Sequence, residues 1–224
     1  MLRIEKTLLK GFDPPRANED VTGIVARLAR HARVSSSRAL HKYLFGYVTN
    51  ELAGRYPGGL QVLHRRFPAF WENPQEIAER HTIFPLFRFF EASVDHAQKI
   101  ESRLVHARQN PGQHLRHRFE LEKGDVWEKR SPMRYCVPCM IEDQQAGRMP
   151  TWYRQHQIPG VDWCVRHQSL LFDYCIECGQ QLFKHSYVVP AFHCGCQRDI
   201  PALRTPEDAA KIKFTYSGCL TYTA

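Results

Sequence analysis

The cysteines of this chain lie in pairs whose spacing suits metal binding. The 224-residue sequence holds eight cysteines, all at or after position 136. Seven of them and one histidine form four close pairs: Cys136 with Cys139, Cys164 with His167, Cys175 with Cys178, and Cys194 with Cys196. Zinc prefers a tetrahedron of thiolate and imidazole ligands, and two ligands separated by two residues on a tight turn can reach one ion. The four pairs therefore predict two zinc sites.

Chain order favours one site built from the first two pairs and a second site built from the last two. An interleaved cross-brace, which would join the first pair to the third and the second to the fourth, stays open with the same ligands. His193 stays open as a replacement for one thiolate of the last pair, and Cys219 has no partner left. Because four protein ligands leave no free coordination position, both zinc ions are expected to stabilise the fold.

Enzymatic activity is not predicted for this chain. A metal-dependent nuclease needs an open metal position, or a carboxylate cluster with a general base, and the sequence presents neither. The adjacent acidic pairs of the cysteine-containing half are Glu142-Asp143 and Glu207-Asp208. Both pairs are interpreted as surface charge.

Charge divides the chain into two halves. Residues 1–134 contain 23 basic and 15 acidic side chains and so carry the whole net charge of +8, while residues 135–224 contain eight of each. A basic half of this size is compatible with nucleic acid or with an acidic partner protein. The content of 43% hydrophobic residues excludes a disordered chain.

The sequence has no apolar run of the roughly 18 residues that a membrane span requires, and its N-terminus lacks the apolar core of a signal peptide. We therefore expect a cytoplasmic protein without membrane partners. Reducing conditions there favour metal-bound thiols over disulfides.

Helical periodicity dominates the basic half. Residues 19–32 place six apolar side chains on one face, with Arg27 and Arg30 outside that face. After a short break, Ser36-Ser37 is a good N-cap for a second helix that Gly46 ends. The pair is interpreted as a helix-turn-helix.

Further helices are predicted along the rest of this half. One covers residues 60–67 with Arg65-Arg66 outward, a second begins at Asn73-Pro74 and runs to about His81, and a third lies within residues 91–108. The apolar stretch 83–90 is interpreted as core packing. Residues 111–134, polar and basic, are interpreted as a linker.

Five basic residues are candidates for nucleic-acid contact. If the second helix enters the major groove, Arg38 and Lys42 would face the bases. Phosphate contacts would then come from Arg33, Arg65 and Arg66. The alternative interpretation is a solvated helix face.

Several stretches of the sequence resemble the zinc-finger region of the TniQ/TnsD family. The most specific is His-Gln-Ile-Pro-Gly-Val at residues 156–161, followed by the C-x2-H pair and by Cys-Ile-Glu-Cys-Gly at 175–179. Residues 134–139, 152–154, 27–29 and 81–87 resemble the family as well. The similarity covers roughly residues 15–200.

This resemblance implies a target-selection adaptor of a Tn7-like bacterial transposon. Its partners would be an AAA+ transposition regulator (a TnsC-type ATPase), target DNA and, in some members, a CRISPR effector complex with its guide RNA. The chain ends 28 residues after Cys196, whereas TnsD-type members continue with further DNA-binding helices. We therefore expect a short TniQ-type adaptor or an N-terminal fragment of a TnsD-type protein.

The sequence thus predicts a mainly α fold with small zinc-bound β-hairpins. The predicted order is a helical, helix-turn-helix-like domain at 1–110, a linker at 111–134, a tandem zinc-finger module at 135–200 and an extension at 201–224. The expected function is DNA recombination as a transposition adaptor. The alternative is an independent, sequence-specific DNA-binding regulator.

Overall fold

The computed structural model describes residues 11–34, 36–46, 57–105, 133–175 and 179. These residues are mainly helical and include one two-stranded antiparallel sheet. The helices of the N-terminal part are α1 (Val21–His31), α2 (Ser37–Phe45), α3 (Leu60–Arg66), α4 (Pro74–His81), α5 (Phe84–Phe90) and α6 (Val94–Val105).

Caps set the bounds of the first two helices. Asp20 accepts a hydrogen bond from the Thr22 backbone at 2.9 Å, and Ser36 accepts one from the Ala39 backbone at 3.1 Å. Gly46 ends α2 with a φ of 80°, which a side chain would strain. Both helices lie where periodicity predicts them, while their use as a helix-turn-helix stays a prediction.

Helix α4 begins as its sequence predicts. Asn73 accepts from the Glu76 backbone at 2.8 Å, and Pro74 occupies the first turn, where no amide partner is needed. Helices α3, α4 and α6 pack against one another, and α2 packs on α3. The shared core includes Leu28, Leu44, Leu63, Ile77, Phe84 and Leu104.

The interpretation of residues 83–90 as core packing is half right. Phe84 and Phe87 are buried, but Phe89 and Phe90 on the same helix are 81% and 68% exposed. The segment folds as the short helix α5, which has only one face toward the core, so its remaining aromatic side chains face solvent.

The interpretation of Arg27 as a side chain outside the buried face is wrong. Arg27 is 3% exposed and forms an ion pair with Glu19, which is fully buried. Its guanidinium also donates to the carbonyl oxygens of Asp13 and Pro14 and lies over the Phe12 ring. The segment that precedes α1 covers this side of the helix, which periodicity alone cannot indicate.

The C-terminal part contains α7 (Val137–Gln145), a 3₁₀ turn (Arg154–Gln157) and the strands β1 (Trp163–Cys164) and β2 (Ser169–Leu170). The strands pair antiparallel, Trp163 with Leu170 and Cys164 with Ser169. A small core of Tyr135, Val137, Met140, Trp152, Phe172 and Cys175 supports them.

The two parts contact each other directly. The Asp20 amide donates to the Trp152 carbonyl at 2.8 Å, and Thr151 donates to Glu19 at 2.5 Å. Arg154 donates to the carbonyls of Glu79 and Thr82. The predicted domain bounds stay predictions, since most of the linker 111–134 and all of 201–224 lie outside the described residues.

Within the described part of the chain, every helix is too short or too polar to cross a lipid bilayer.

Candidate metal centre

The first cysteine pair lies at the beginning of α7. Cys136 is the N-cap residue of that helix and Cys139 is in its first turn, with Pro138 between them. Proline is favoured there because its missing N–H needs no helical partner. Both sulfur atoms therefore lie at the helix N-terminus, where the backbone amides favour negative charge.

The second pair lies on the β-hairpin. Cys164 ends β1, and the turn that returns the chain to β2 carries His167. This turn is closed by a 2.7 Å hydrogen bond from the Gln168 amide to the Cys164 carbonyl. The tight turn directs the thiol and the imidazole toward α7.

The structure brings these four side chains together. Their ligand atoms all lie within 4.8 Å of one another, and the three cysteines are buried. His167 Nδ1 lies 3.5, 3.2 and 3.6 Å from the sulfurs of Cys136, Cys139 and Cys164, and the last two sulfurs are 3.8 Å apart.

These separations fit a tetrahedral zinc site. With Zn–S bonds of about 2.3 Å and Zn–N bonds of about 2.0 Å, the edges of a tetrahedron are about 3.8 Å between sulfurs and about 3.5 Å between sulfur and nitrogen. A set of three buried thiols and one imidazole is also the donor chemistry that zinc prefers. The Cys3His cluster can therefore hold a metal ion.

Proton sharing among the thiols makes one thiolate available. A hydrogen bond from the Cys139 thiol lowers the pKa of Cys136 to about 5, and the nearby Ser169 hydroxyl adds to this shift. Cys139 retains the shared proton, so its own pKa is raised. Metal binding would have to displace this proton, because only thiolates are good zinc ligands.

The His-Gln-Ile-Pro-Gly-Val loop, residues 156–161, lies beside the cluster. His156 is buried, and its Nε2 atom lies 3.8 Å from the Cys139 sulfur. The Gln157 side chain accepts from the Arg134 amide at 3.0 Å and donates to the Arg134 carbonyl at 2.8 Å. Arg134 in turn donates to the carbonyls of Ile158 and Val161. The motif thus fixes the backbone that enters the first cysteine pair.

The interpretation of Glu142-Asp143 as surface charge is wrong for Asp143, whereas the Glu142 side chain is 37% exposed. Glu142 lies 2.8 Å from the Nε2 atom of His167, and this hydrogen bond lowers the pKa of Glu142. Asp143 is 1% exposed and binds Arg16, Arg148 and the Tyr153 hydroxyl. Two adjacent positions on a helix point in different directions, so one carboxylate reaches the cluster and the other reaches the N-terminal segment.

A family comparison covers both parts of this arrangement. A model of the TniQ family matches residues 11–171, which include helices α1–α7 and the Cys3His cluster. The protein belongs to the TniQ family. No curated protein matches the chain.

Membership in the TniQ family associates the protein with transposition of Tn7-like elements, in which family members work with other components. The resemblance noted in the sequence is therefore confirmed for the TniQ family. The match ends at residue 171, so it includes the ligands of the first predicted site and stops before those of the second.

The second predicted site falls largely outside the described part of this TniQ-family chain. Cys175 is described and is fully buried beside Tyr135 and Phe172. Cys178, Cys194 and Cys196 lie outside the described residues, as do the alternative ligand His193, the remaining Cys219, and Glu207-Asp208. The second site, and the choice between sequential and cross-brace pairing, stay predictions.

The five basic candidates lie in different environments. Arg38 and Lys42 are exposed one helical turn apart on α2, and Arg33 and Arg65 are exposed as well. Arg66 is half-buried: its Nε donates to the Leu44 carbonyl at 3.3 Å and its guanidinium lies over the Tyr43 ring. Arg66 therefore joins α3 to α2, and nucleic-acid contact by any of the five stays a prediction.

Proposed function

We propose that this TniQ-family protein is a target-site selection adaptor of a Tn7-like bacterial transposon. It would link target DNA, or a targeting complex such as a CRISPR effector with its guide RNA, to an AAA+ transposition regulator of the TnsC type. The observation that carries this proposal is the family match, which spans the helical part and the metal cluster together.

The contacts between the two parts support an adaptor role. An adaptor must hold two partners in a defined geometry, so the surfaces that bind them must not move independently. Here the Glu19 side chain is hydrogen-bonded to Arg27 in α1 and to Thr151 in the C-terminal part, and all three residues are buried. A partner on α2 would therefore keep a fixed position relative to a partner on the hairpin.

Two structural zinc ions are part of the proposal. Cys136, Cys139, Cys164 and His167 would hold the first, and Cys175, Cys178, Cys194 and Cys196 the second. Bound zinc would supply folding free energy, with no open position for substrate. The closed donor set of the Cys3His cluster supports this role for the first ion.

The alternative is an independent, sequence-specific DNA-binding regulator. The observation in its favour is the exposed pair Arg38 and Lys42 on one face of α2. Such a protein would select a DNA sequence by base contacts and would need no ATPase. An adaptor could also use this pair, but mainly for phosphate contacts.

The first test is capture of the nucleotide-loaded AAA+ regulator encoded beside this gene by the full chain, with and without DNA. The chain is first shown to carry its zinc, and zinc-free chain serves as the control. Capture that depends on zinc is the expected result. Failure to capture the ATPase, together with tight and sequence-selective DNA binding, would replace the adaptor with the regulator.

A further inference from the structure

His167 has two ring nitrogens with different surroundings. Its Nδ1 atom lies 3.2–3.6 Å from the three sulfurs, and its Nε2 atom lies 2.8 Å from Glu142 Oε1. An imidazole that binds metal through one nitrogen carries its proton on the other, and an acceptor at that proton fixes the tautomer and the ring orientation. We propose that Glu142 is a positioning residue of this metal site, which directs His167 to bind metal through Nδ1.

The position of Glu142 follows from the helix that carries two of the ligands. Cys139 and Glu142 are three residues apart on α7, so their side chains share one helical face. That face presents a thiol to one nitrogen of His167 and a carboxylate to the other. The same short helix therefore places a ligand and the acceptor that orients the next ligand.

A second contact holds the carboxylate in this orientation. Arg166, the residue before His167, forms an ion pair with Glu142 Oε2 at 2.9 Å. One oxygen of Glu142 thus binds the imidazole while the other is held by the neighbouring guanidinium. Because Arg166 is 65% exposed, we expect it to contribute less than the imidazole contact.

Exposed side chains on α7 show what effect the replacement of an ordinary surface residue would have. Gln144 and Gln145 are exposed on the same helix, and neither contacts the cluster among the described hydrogen bonds. If Glu142 were only surface charge, its replacement would resemble replacement of Gln145. The inference rests on the proposed zinc site and adds to it a residue outside the ligand set.

Zinc affinity of the full chain, measured by competition with a chelator, tests the inference. Glu142→Leu removes the acceptor and should weaken binding of one zinc by about 10- to 100-fold. Glu142→Gln keeps a carbonyl oxygen at this position and should recover most of that loss. Gln145→Leu, the matched control on the same helix, should leave the affinity unchanged, and circular dichroism would check that each variant is folded.

The same substitution in a His167→Cys chain distinguishes an effect of Glu142 on the orientation of His167 from a general effect on α7. His167→Cys turns the cluster into four thiols and removes the imidazole that Glu142 contacts. In that background Glu142→Leu should leave zinc affinity unchanged. An equal loss in both backgrounds would overturn the inference, because the effect would then not pass through His167.

The Nε2 proton of His167 gives a spectroscopic signal that Glu142→Leu would leave unchanged if Glu142 only stabilised the fold. In zinc-loaded chain labelled with ¹⁵N-histidine, the His167 Nε2–H signal, identified by its loss in His167→Cys, should be protected from exchange with water. Glu142→Leu should remove this protection while zinc stays bound. Unchanged protection and unchanged affinity would overturn only the proposed role of Glu142. A wild-type chain that binds no zinc at the cluster would instead overturn the proposed zinc site.

Discussion

Glu19 and Arg27 form a buried bidentate ion pair, with Nε–Oε1 and Nη2–Oε2 distances of 2.6 and 2.7 Å. Thr151 donates to the same carboxylate at 2.5 Å, and the Glu19 carbonyl oxygen lies 2.8 Å from His81 Nδ1. This pair therefore joins α1, the end of α4 and the C-terminal part. A buried pair is costly to break because the remaining charge stays desolvated.

The first prediction concerns this pair. Arg27→Ala should destabilise the protein by about 3–5 kcal/mol, because Glu19 would be left buried without its partner. Arg30→Ala, which removes an exposed arginine from the same helix, is the matched control and should cost far less. Urea unfolding measures the free energy of unfolding of both variants. Equal losses would show that the buried ion pair stabilises the protein no more than the exposed Arg30 does.

The second prediction concerns the contact between α1 and the C-terminal part. A Cβ atom on Gly23 would lie 2.3 Å from Thr151 Oγ1 and 2.9 Å from the Trp152 backbone nitrogen. Gly23→Ala should therefore lower the melting temperature, although alanine favours a helix over glycine by about 1 kcal/mol. A higher melting temperature would mean that helix propensity outweighs this close approach.

The third prediction concerns metal removal. Cys139→Ser should lower the zinc content by one ion per chain and unfold the C-terminal part, because bound zinc contributes about 10 kcal/mol or more to such folds. Since Thr151 and Trp152 are hydrogen-bonded to Glu19 and Asp20 directly before α1, the helical part should also lose stability. Zinc analysis and thermal unfolding are the measurements, with Cys219→Ser as the control; full zinc content in Cys139→Ser would contradict the ligand assignment.

The fourth prediction concerns pH. Burial raises the pKa of Asp20, the N-cap of α1, from its ordinary value of 3.8 to about 6, against the opposing effect of its hydrogen bonds from Thr22. A raised carboxyl pKa means that the folded state binds the proton more tightly, so the stability that Asp20 contributes falls as pH rises from 3.8 toward 6.

Asp20→Asn keeps the cap but cannot ionise. Its stability relative to wild type should therefore rise by on the order of 2 kcal/mol between pH 4.5 and pH 7.5. Asp20→Ala, which lacks the cap at every pH, should cost about 1 kcal/mol more than Asp20→Asn throughout. Urea unfolding across this range is the measurement, and a pH-independent difference between Asp20→Asn and wild type would contradict the shifted pKa.

The fifth prediction concerns DNA. If Arg38 and Lys42 contact phosphates, replacing both with alanine should weaken DNA binding and reduce the slope of log affinity against log salt by about 1.8, or about 0.9 for each phosphate no longer neutralised. If they contact bases instead, the same replacement should weaken binding with a smaller change in slope. Arg80→Ala with Lys99→Ala removes two exposed cations from other helices and is the matched control. Equal affinities and equal slopes in the two double variants would indicate that α2 presents only a solvated face.

Local physical rules determined much of this protein from its sequence. Cap residues and apolar periodicity act within a few positions, so Asp20, Ser36, Asn73 and Gly46 set helix ends close to those predicted. Metal-ligand spacing is also local, because a C-x2-C or C-x2-H pair needs only one tight turn. These rules placed Cys136, Cys139, Cys164 and His167 among the predicted ligands, while their grouping into one cluster is seen in the tertiary structure.

Only the tertiary structure decided which polar groups are buried and what they contact. Thr151 and Glu19 are 132 residues apart, and Glu142 and His167 are 25 apart. A charged side chain can be buried when a partner satisfies its hydrogen bonds, and no periodicity indicates such a distant partner. For that reason Arg27 and Asp143, which the sequence pattern places at the surface, lie in the interior, and the partly exposed Glu142 also contacts His167.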